Sequence, residues 1–417
     1  MNIQVQIERA VLSDTPTLPG AELAPATAPE FTAPDLKERA GIVAGVAATH
    51  ATAVDREGRF PAETIAALRT ERLLGIMVPR DLGGEGASIS DVVDVCYMLG
   101  RSCASSAMVY AMHQTKVALL VRHGQQSAWH QRLLRRLAAE QLLLASSTTE
   151  GQAGGDVRKS AAPIVQQGSR ISLERDATVI SYGAQADGVV TTARRSPEAG
   201  QTDQVLVAFL KADYALERIL EWDALGMRGT CSAGFKLKAG GEASQVLPEP
   251  YERIHVRTMV PIAHLTWSGA WTGVAAGAVE RARLFVRNAA KRADGALPPG
   301  AAHLTRANAN LRTLRAVVAG ALQRFEATIG DEQALESIDF QTTMNLLKVN
   351  ASELAIATVM SALQATGLSG YRNDTEFSIG RHLRDVLSSP IMINNDRILA
   401  NVGTASLLTA VPATLRD

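Results

Sequence analysis

The first third of the chain has apolar residues at three- and four-residue spacing, which is the period of an amphipathic helix. This spacing predicts helices over Asp35–His50, Pro61–Arg72, Ile89–Leu99 and Ala104–Arg122. Turn-forming residues separate the helices, most clearly at Asp81–Gly86. We therefore expect an N-terminal helical domain over residues 34–142.

The pattern changes after these helices, where short runs of alternating or β-branched residues are separated by Gly, Pro, Asp and Ser. Such runs are typical of strands. They lie at residues 160–173, 177–181, 188–193, 204–210 and 234–237. The pattern predicts a central, β-barrel-like domain over residues 143–256.

The helical period returns from Pro261 onward. Four stretches follow, at residues 271–292, 303–328, 340–366 and 390–408. They predict a C-terminal four-helix bundle over residues 257–417. Residues 1–33 are rich in Pro, Thr and Ala without periodicity, so we expect a disordered leader there. The predicted fold class is α+β with several domains, helical, β and helical in chain order.

One stretch, Thr258–Val279, contains no Asp, Glu, Lys or Arg and is long enough to cross a bilayer. Several polar residues, among them His264 and Ser268, favour a buried helix of a soluble protein instead, with no membrane contact. The chain has 42 basic and 42 acidic residues. This balance gives no electrostatic reason to expect nucleic acid or an anionic membrane as a partner.

The cysteines exclude two kinds of stabilisation. Cys96, Cys103 and Cys231 match neither a disulfide framework nor zinc-ligand spacing, so we expect no metal site. The first 20 residues lack the continuous apolar core of a secretory signal. These features predict a reduced, cytoplasmic protein.

The loop Thr148–Asp156 combines adjacent threonines with three glycines. Glycine lets backbone N–H groups approach a ligand without obstruction by a Cβ atom, and threonine hydroxyls offer donors and acceptors to a heteroaromatic ring. Such a loop can wrap a flat, anionic cofactor. On the residues alone, the alternative is a polar turn that ends the apolar run Leu142–Ala145.

Further motifs follow each other along the chain. They are Phe60-Pro61, Leu74–Pro79, Leu82–Gly86, Glu221–Asp223, Leu225–Thr230, Gln364 with Gly367, Gly370-Tyr371 and Arg384-Asp385. Together with the glycine loop and the order of domains, they resemble the acyl-CoA dehydrogenase family from about residue 34 to the end. The resemblance implies an oxidoreductase that binds FAD.

The resemblance also implies individual FAD contacts. The loop residues expected to hold the cofactor are Thr148, Thr149, Gly154 and Gly155, with Thr149 at the flavin ring and Gly154 near the pyrophosphate. Ser181 would lie beside flavin N5, where a hydroxyl can hydrogen-bond the reduced ring. Gln364 and Gly367 would reach the FAD of a neighbouring subunit, which implies a homodimer or homotetramer.

Two departures from the family pattern bear on the site. The family's Arg-x-x-Phe-Gly motif grips the partner's FAD pyrophosphate, whereas this chain has Lys291–Gly295 in that place. Arg292 is the residue expected to supply the positive charge. The alternative for Arg292 is a solvated cation at a helix end.

The second departure concerns the catalytic base. Ordinary family members carry a Glu soon after Arg-Asp that removes the α-proton, but Ser388–Arg397 contains no Glu. Asp396 is the nearest carboxylate to that place, and its alternative role is to cap a helix. His113 lies on a helix that passes the acyl pocket in relatives, and its alternative is a satisfied core histidine.

The acyl pocket itself has candidate wall residues. Trp267 and Trp271 would share one helical face and close the pocket over a small or medium acyl group. Its floor would come from small and apolar residues whose alternative is plain core packing. These are Leu99, Ala104, Ala107, Met108 and Ala111.

The resemblance implies FAD-dependent α,β-dehydrogenation of an acyl thioester, bound to CoA or to an acyl carrier protein. The missing Glu favours a specialised pathway. Electron-transfer flavoprotein or oxygen would accept the electrons. One alternative is a flavin-dependent monooxygenase of the same fold, which needs no Glu base. Another is a non-catalytic flavoprotein or acyl-carrier-binding subunit.

Overall fold

The structure is a computed structural model that describes residues 35–151, 156–293, 297–408, 411 and 413–414. The described residues belong to one compact unit, Pro34–Asp417. The predicted leader and the loop residues Gly154 and Gly155 lie outside the described residues.

Helices account for the described N-terminal region. They are α1 (Leu36–Glu57), α2 (Ala62–Thr70), α3 (Ile89–Ser102), α4 (Ala104–His123) and α5 (Ala128–Glu140). Helix α1 begins after Asp35, whose carboxylate accepts the backbone N–H of Lys37, and ends at Gly58 in the left-handed conformation. The four predicted helices are confirmed, and α5 follows them.

Strands lie in the middle of the chain. They are β1 (Leu144–Ser147), β2 (Val165–Gln167), β3 (Arg170–Ala177), β4 (Gly188–Arg194), β5 (Gln204–Leu210), β6 (Tyr214–Leu220) and β7 (Gly234–Glu242). One sheet has the order β1-β4-β5 and the other β2-β3-β7-β6. Strand β1 pairs with β4 in parallel, and the other neighbours are antiparallel.

The predicted barrel does not form within the described residues, so that part of the fold prediction was wrong. A barrel closes only when the outer strands of a sheet pair with each other. Here the outer strands of the larger sheet, β2 and β6, are mostly exposed to solvent and remain edges. The central region is therefore made of two separate sheets.

The C-terminal region returns to helix. Its described elements are α6 (Tyr251–Ile254), a π-helical turn (His255–Met259), α7 (Val260–Arg292), α8 (Ala301–Thr328), α9 (Glu332–Glu336), α10 (Ile338–Thr366), α11 (Leu368–Tyr371), α12 (Gly380–Val386) and α13 (Asn395–Ser406). Helix α10 packs against α7, α8 and α13. These four helices confirm the predicted bundle.

Helix α7 passes through the interior of the protein. Nearly all of Thr258–Val279 is buried, which confirms the prediction of a buried helix. Two glycines let α7 approach α3 closely, because Gly100 lies against the carbonyl of Ala270 and Gly273 against the carbonyl of Tyr97. A side chain at either glycine would overlap backbone atoms of the other helix.

Helix α10 is the one described helix that is long and apolar enough to cross a membrane. Of its most apolar window, 56% is buried inside the protein. Core helices of soluble proteins pass the same test, so the helix is weak evidence for a membrane span.

Three regions of the chain meet at Arg384 and Asp385 on α12. Arg384 Nη1 and Nη2 donate to the carboxylate oxygens of Asp55 on α1 at 2.9 and 2.5 Å. Asp385 Oδ1 accepts the backbone N–H of Met227 at 2.7 Å. The backbone of Gly226 lies directly against that of Arg384. This junction fixes the segment around Met227 relative to α1 and α12.

We expect Gly226→Ala to destabilise the protein. The added methyl group would overlap the backbone of Arg384 and Asp385, which cannot rotate away as a side chain can. Forced overpacking of this kind typically costs about 1–3 kcal/mol. Denaturant titration of the free energy of unfolding measures the effect.

Gly45→Ala on α1 is the matched control for that substitution. No atom lies within 4 Å of the added methyl group at Gly45, which is exposed on the helix. Alanine is the better helix former by about 1 kcal/mol, so this variant should be more stable than the parent. A Gly226→Ala protein as stable as the Gly45→Ala protein would contradict the close-approach argument.

Candidate active site

A cavity of about 880 Å³ lies between the N-terminal helices, the sheet region and the bundle. Buried residues line its interior, including Met108, Lys116, Ala263, His264 and Trp267. Exposed residues line its mouth, including Arg158, Leu225, Ile391, Asn394 and Arg397. The cavity is therefore largely apolar inside and opens to solvent between basic side chains.

The glycine loop contributes hydroxyl groups to this cavity. Thr148 and Thr149 both line it, and Thr148 is buried. Neither hydroxyl has a hydrogen-bond partner within the part of the chain that the structure describes. Both are therefore free to donate to or accept from a ligand.

A chain of hydroxyls also reaches the cavity. Ser181 Oγ lies 2.8 Å from Ser232 Oγ, which lies 2.7 Å from Thr230 Oγ1. Thr230 Oγ1 donates to the carbonyl of Met227 at 2.8 Å. Because each hydroxyl has one proton, Ser232 must then donate to Thr230, and Ser181 to Ser232. Ser181 therefore presents an acceptor oxygen to the cavity.

Glu150 anchors the start of the glycine loop to the sheet region. Its carboxylate lies 3.2 Å from Arg175 Nε and accepts from Ser160 Oγ at 3.2 Å. The backbone N–H of Ala161 donates to it at 2.5 Å. Both partners of the Glu150–Arg175 ion pair are buried. Glu150 therefore holds the loop in place and does not line the cavity.

Cations outnumber carboxylates on the described wall of the cavity. The cations are Lys116, Arg158, Arg384 and Arg397, and the carboxylate is Asp156. Asp156 Oδ1 lies 3.3 Å from Arg158 Nε. Arg384 is paired with Asp55, so the charges of Arg158 and Arg384 are both balanced, and no described carboxylate lines the apolar interior.

His113 lies in the core beside the cavity but does not line it. His113 Nε2 lies 2.8 Å from the carbonyl of Leu74, and its Nδ1 accepts the backbone N–H of Leu144 at 3.0 Å. Burial lowers the pKa of His113 to about 4, so the ring is neutral at pH 7. Because backbone groups occupy both nitrogens, His113 is structural and the prediction of a catalytic base there was wrong.

Asp396 lies in the first turn of α13 with an exposed side chain. The N-cap of this helix is Asn394, whose side chain accepts the backbone N–H of Asp396 at 2.7 Å. The flanking residues Asn394 and Arg397 line the cavity, whereas Asp396 does not. A catalytic role for Asp396 stays a prediction that its position does not favour.

The structure places some of the other predicted cofactor residues at the cavity and others away from it. Thr148, Thr149 and Ser181 come together at the cavity, and their contacts with FAD stay predictions. Arg292 ends α7 with an exposed side chain, and Gln364 and Gly367 are exposed at the end of α10. Contacts of these three with the cofactor of a second subunit stay predictions.

Two buried polar residues of the cavity wall, His264 and Lys116, were not predicted from the sequence as site residues. His264 Nδ1 lies 2.9 Å from the carbonyl of Met344, which can only accept, so the neutral ring has its proton on Nδ1. Nε2 is then an acceptor, and it has no partner among the described residues. Lys116 could have been found, because it is the only charged residue between Ala104 and Val121.

This set of donors and acceptors, in a cavity between helices and sheets, can hold a polar cofactor beside an apolar ligand. The model of the acyl-CoA dehydrogenase N-terminal domain matches residues 37–141, and that of the C-terminal domain matches residues 258–408. The chain belongs to the acyl-CoA dehydrogenase family. It is therefore a flavin-dependent oxidoreductase, which replaces the non-catalytic alternative.

Relatives with different reactions are similar to this chain over most of its length. Cyclohex-1-ene-1-carbonyl-CoA dehydrogenase of Geobacter metallireducens is 25% identical over 87% of this chain and 93% of its own. Amino sugar nitrososynthase DnmZ of Streptomyces peucetius is 26% identical over 81% of this chain and 84% of its own. Thus the family resemblance alone does not distinguish dehydrogenation from oxygenation.

A solved structure shares the fold. FMN-bound TdsC from Paenibacillus sp. A11-2 has a TM-score of 0.79 and 18% identity, and the match covers 90% of this chain and 98% of TdsC. The unpartnered hydroxyls of Thr148 and Thr149 and the acceptor oxygen of Ser181 suit the polar edge of a flavin ring. The described residues of the cavity therefore fit a flavin.

We expect His113→Leu to lower the free energy of unfolding by roughly 1–3 kcal/mol. It leaves the buried N–H of Leu144 unpaired, whereas the carbonyl of Leu74 still accepts from Gln114 Nε2 at 3.1 Å. Asp396→Asn is the control, with a change within about 0.5 kcal/mol because the side chain is exposed. A His113→Leu protein of full stability that has lost turnover would contradict the structural role.

Proposed function

We propose that this protein is an FAD-dependent dehydrogenase that introduces an α,β double bond into an acyl group carried as a thioester, in a specialised pathway. The observation that supports it is the shared cavity. Hydroxyls of the glycine loop, an apolar helical wall and a basic mouth meet in one space. A flavin, an acyl chain and a phosphate-bearing carrier require these three surfaces.

The apolar wall suits a small or medium acyl group. Met108 and Met112 of α4 and Ala263 and Trp267 of α7 line it. Trp271, which packs 6.4 Å from Trp267 between ring centroids, is fully buried and does not line the cavity. Trp267, backed by Trp271, therefore bounds the space in which we propose that the acyl chain binds.

The basic mouth suits the phosphopantetheine of CoA or of an acyl carrier protein. Arg158 and Arg397 line it with exposed side chains. Guanidinium groups bind phosphate through paired N–H donors. This chemistry is common to both carriers. The acyl-CoA name of the Geobacter relative supports a thioester handle.

FAD, with its larger nucleotide, is the form of flavin we propose. Ser181 accepts a hydrogen bond at the flavin, and a bound flavin supplies a hydride acceptor. Arg292, Gln364 and Gly367 are exposed as contacts across subunits would require. The proposal therefore includes a homodimer or homotetramer in the cytoplasm, with electron-transfer flavoprotein or oxygen as electron acceptor.

We assign the proton-acceptor role to His264 in place of a glutamate. Its Nε2 has a lone pair on a cavity-lining side chain, and Nδ1 is fixed by the carbonyl of Met344. Burial lowers the pKa of His264 to about 4, which is close to that of an ordinary carboxylate. The imidazole therefore has the basicity of the missing group without adding a buried charge.

Anaerobic addition of the correct acyl thioester should bleach the flavin of the purified holoprotein. His264→Asn should slow this bleaching by about 10²–10⁴-fold, because an asparagine amide can still donate to the Met344 carbonyl but has no base. Thioester binding, followed as a shift of the flavin spectrum, should persist in the variant. His264→Asn bleaching at the parent rate would refute the assignment of the base.

A flavin-dependent monooxygenase is the second candidate. The supporting observation is that the described interior wall has no carboxylate to act as the usual base. With reduced flavin supplied, a monooxygenase would incorporate labelled oxygen from O₂ into its product. Labelled product, together with no anaerobic bleaching across CoA and carrier-protein thioesters, would replace the dehydrogenase proposal with this one.

A further inference from the structure

Lys116 is a buried amine on the interior wall of the cavity. Its exposed fraction is 1%, and it lines the cavity on the face of α4 that carries Met112 and Met108. The hydrogen-bond contact of Lys116 Nζ is the sulfur of Met259 at 3.3 Å. A thioether is a weak acceptor, so the three N–H donors of an ammonium group are not satisfied there.

A second buried lysine, Lys348, differs from Lys116 in that its amine has oxygen acceptors. Lys348 Nζ donates to the carbonyl of Ile393 at 2.6 Å and to Asn395 Oδ1 at 2.7 Å. Lys116 has neither kind of oxygen partner within the described chain, nor an ion pair. Lys348 does not line the cavity, whereas Lys116 does. The unpaired amine is thus specific to the cavity wall.

An unpaired buried amine is costly, and an apolar residue would stabilise α4 at this place. Burial alone lowers the pKa of Lys116 to about 7, with no carboxylate to oppose the effect. A purely hydrocarbon acyl chain would leave the amine unsatisfied. A carboxylate in the cavity would accept its N–H groups and balance its charge.

We propose that Lys116 binds an anionic end of the substrate, so that the acyl group is a dicarboxylic monothioester with a free terminal carboxylate. This inference rests on the proposed thioester function. No described carboxylate lines the apolar interior beside Lys116, so a substrate carboxylate would have no competitor there. Met259 and Lys116 form the contact that this carboxylate would replace.

Binding of such a substrate should take up a proton above neutral pH. Lys116 is mostly neutral at pH 8, because its pKa is about 7, and pairing with a carboxylate raises that pKa. His255, the titratable side chain of the π-helical turn that faces Lys116, has a pKa lowered by burial to about 4 and stays neutral. Asp156 and Arg158 at the mouth are paired with each other. Burial also lowers the pKa of Lys348 to about 7, but Lys348 does not line the cavity, so proton uptake that is lost in Lys116→Met reports on Lys116.

The experiment compares glutaryl-CoA with pentanoyl-CoA, which has the same chain length but no terminal carboxylate. Calorimetry on the anaerobic holoprotein, in buffers of different ionisation enthalpy, gives Kd and proton uptake at pH 8. We expect glutaryl-CoA to bind roughly tenfold to hundredfold more tightly, as a charge-assisted hydrogen bond predicts, with uptake of close to one proton. Pentanoyl-CoA should bind without proton uptake.

Lys116→Met keeps the length of the side chain and removes its charge. It should lose the preference and the proton uptake, and its thermal unfolding temperature should equal or exceed that of the parent because no unpaired amine is buried. Lys238→Met, on the exposed part of β7, is the control and should bind as the parent does.

The outcomes separate this inference from the proposed function. Equal binding of both thioesters to the parent protein would overturn the role of Lys116 and leave thioester dehydrogenation intact. Loss of both thioesters in a folded Lys116→Met protein would also overturn it, because a role in every substrate is not recognition of an anion. Binding of neither thioester to the parent, with no bleaching by a wider panel, would refute both proposals.

Discussion

The junction at Arg384 and Asp385 is the constraint on which the cavity depends. Asp385 holds the N–H of Met227, and Met227 has a positive φ of 53°, which an ordinary side chain adopts only when its surroundings impose it. The carbonyl of Met227 then accepts from Thr230 Oγ1 and Trp222 Nε1. Burial raises the pKa of Asp385 to about 6, and the charge of Arg381 and the N–H of Met227 oppose this effect. Asp385 of α12, through Met227, therefore helps to orient the chain of hydroxyls that ends at Ser181.

Two buried histidines contrast the structural role of His113 with the chemical role that we propose for His264. Each has one ring nitrogen at a backbone carbonyl, which fixes the tautomer. The other nitrogen of His113 accepts a backbone N–H from Leu144, so no lone pair remains. That nitrogen of His264 has no described partner, and the ring lines the cavity. Both histidines lie near the cavity, and the hydrogen-bond partners of their two ring nitrogens are what distinguish them.

The periodicity of apolar residues predicted where most helices lie, but it did not predict which residues contact each other in the fold. The helices at Ile89 and Ala104 were found within a few residues because their apolar stripes face one core. Of the predicted strand at residues 177–181, only Ala177 is in a strand, as the last residue of β3, and the chain then turns at Ser181 and Tyr182. Loop chemistry pointed to Thr149 and the family resemblance to Ser181, and both residues line the cavity. The role of His113 could not be predicted, because Leu74 and Leu144 reach it only through the tertiary fold.

The segment Ser388–Arg397, which contains no Glu, has a conformation that hydrogen bonds to α10 fix. Ile393 has a positive φ of 49°, which strains a β-branched residue. Lys348 Nζ binds its carbonyl, and Asn395 Nδ2 donates to Ser352 Oγ at 3.0 Å, so α10 fixes this conformation. The segment presents Met392 and Ile393 to the cavity. This part of the cavity wall is therefore apolar, and the buried polar side chains His264 and Lys116 line the cavity from α7 and α4.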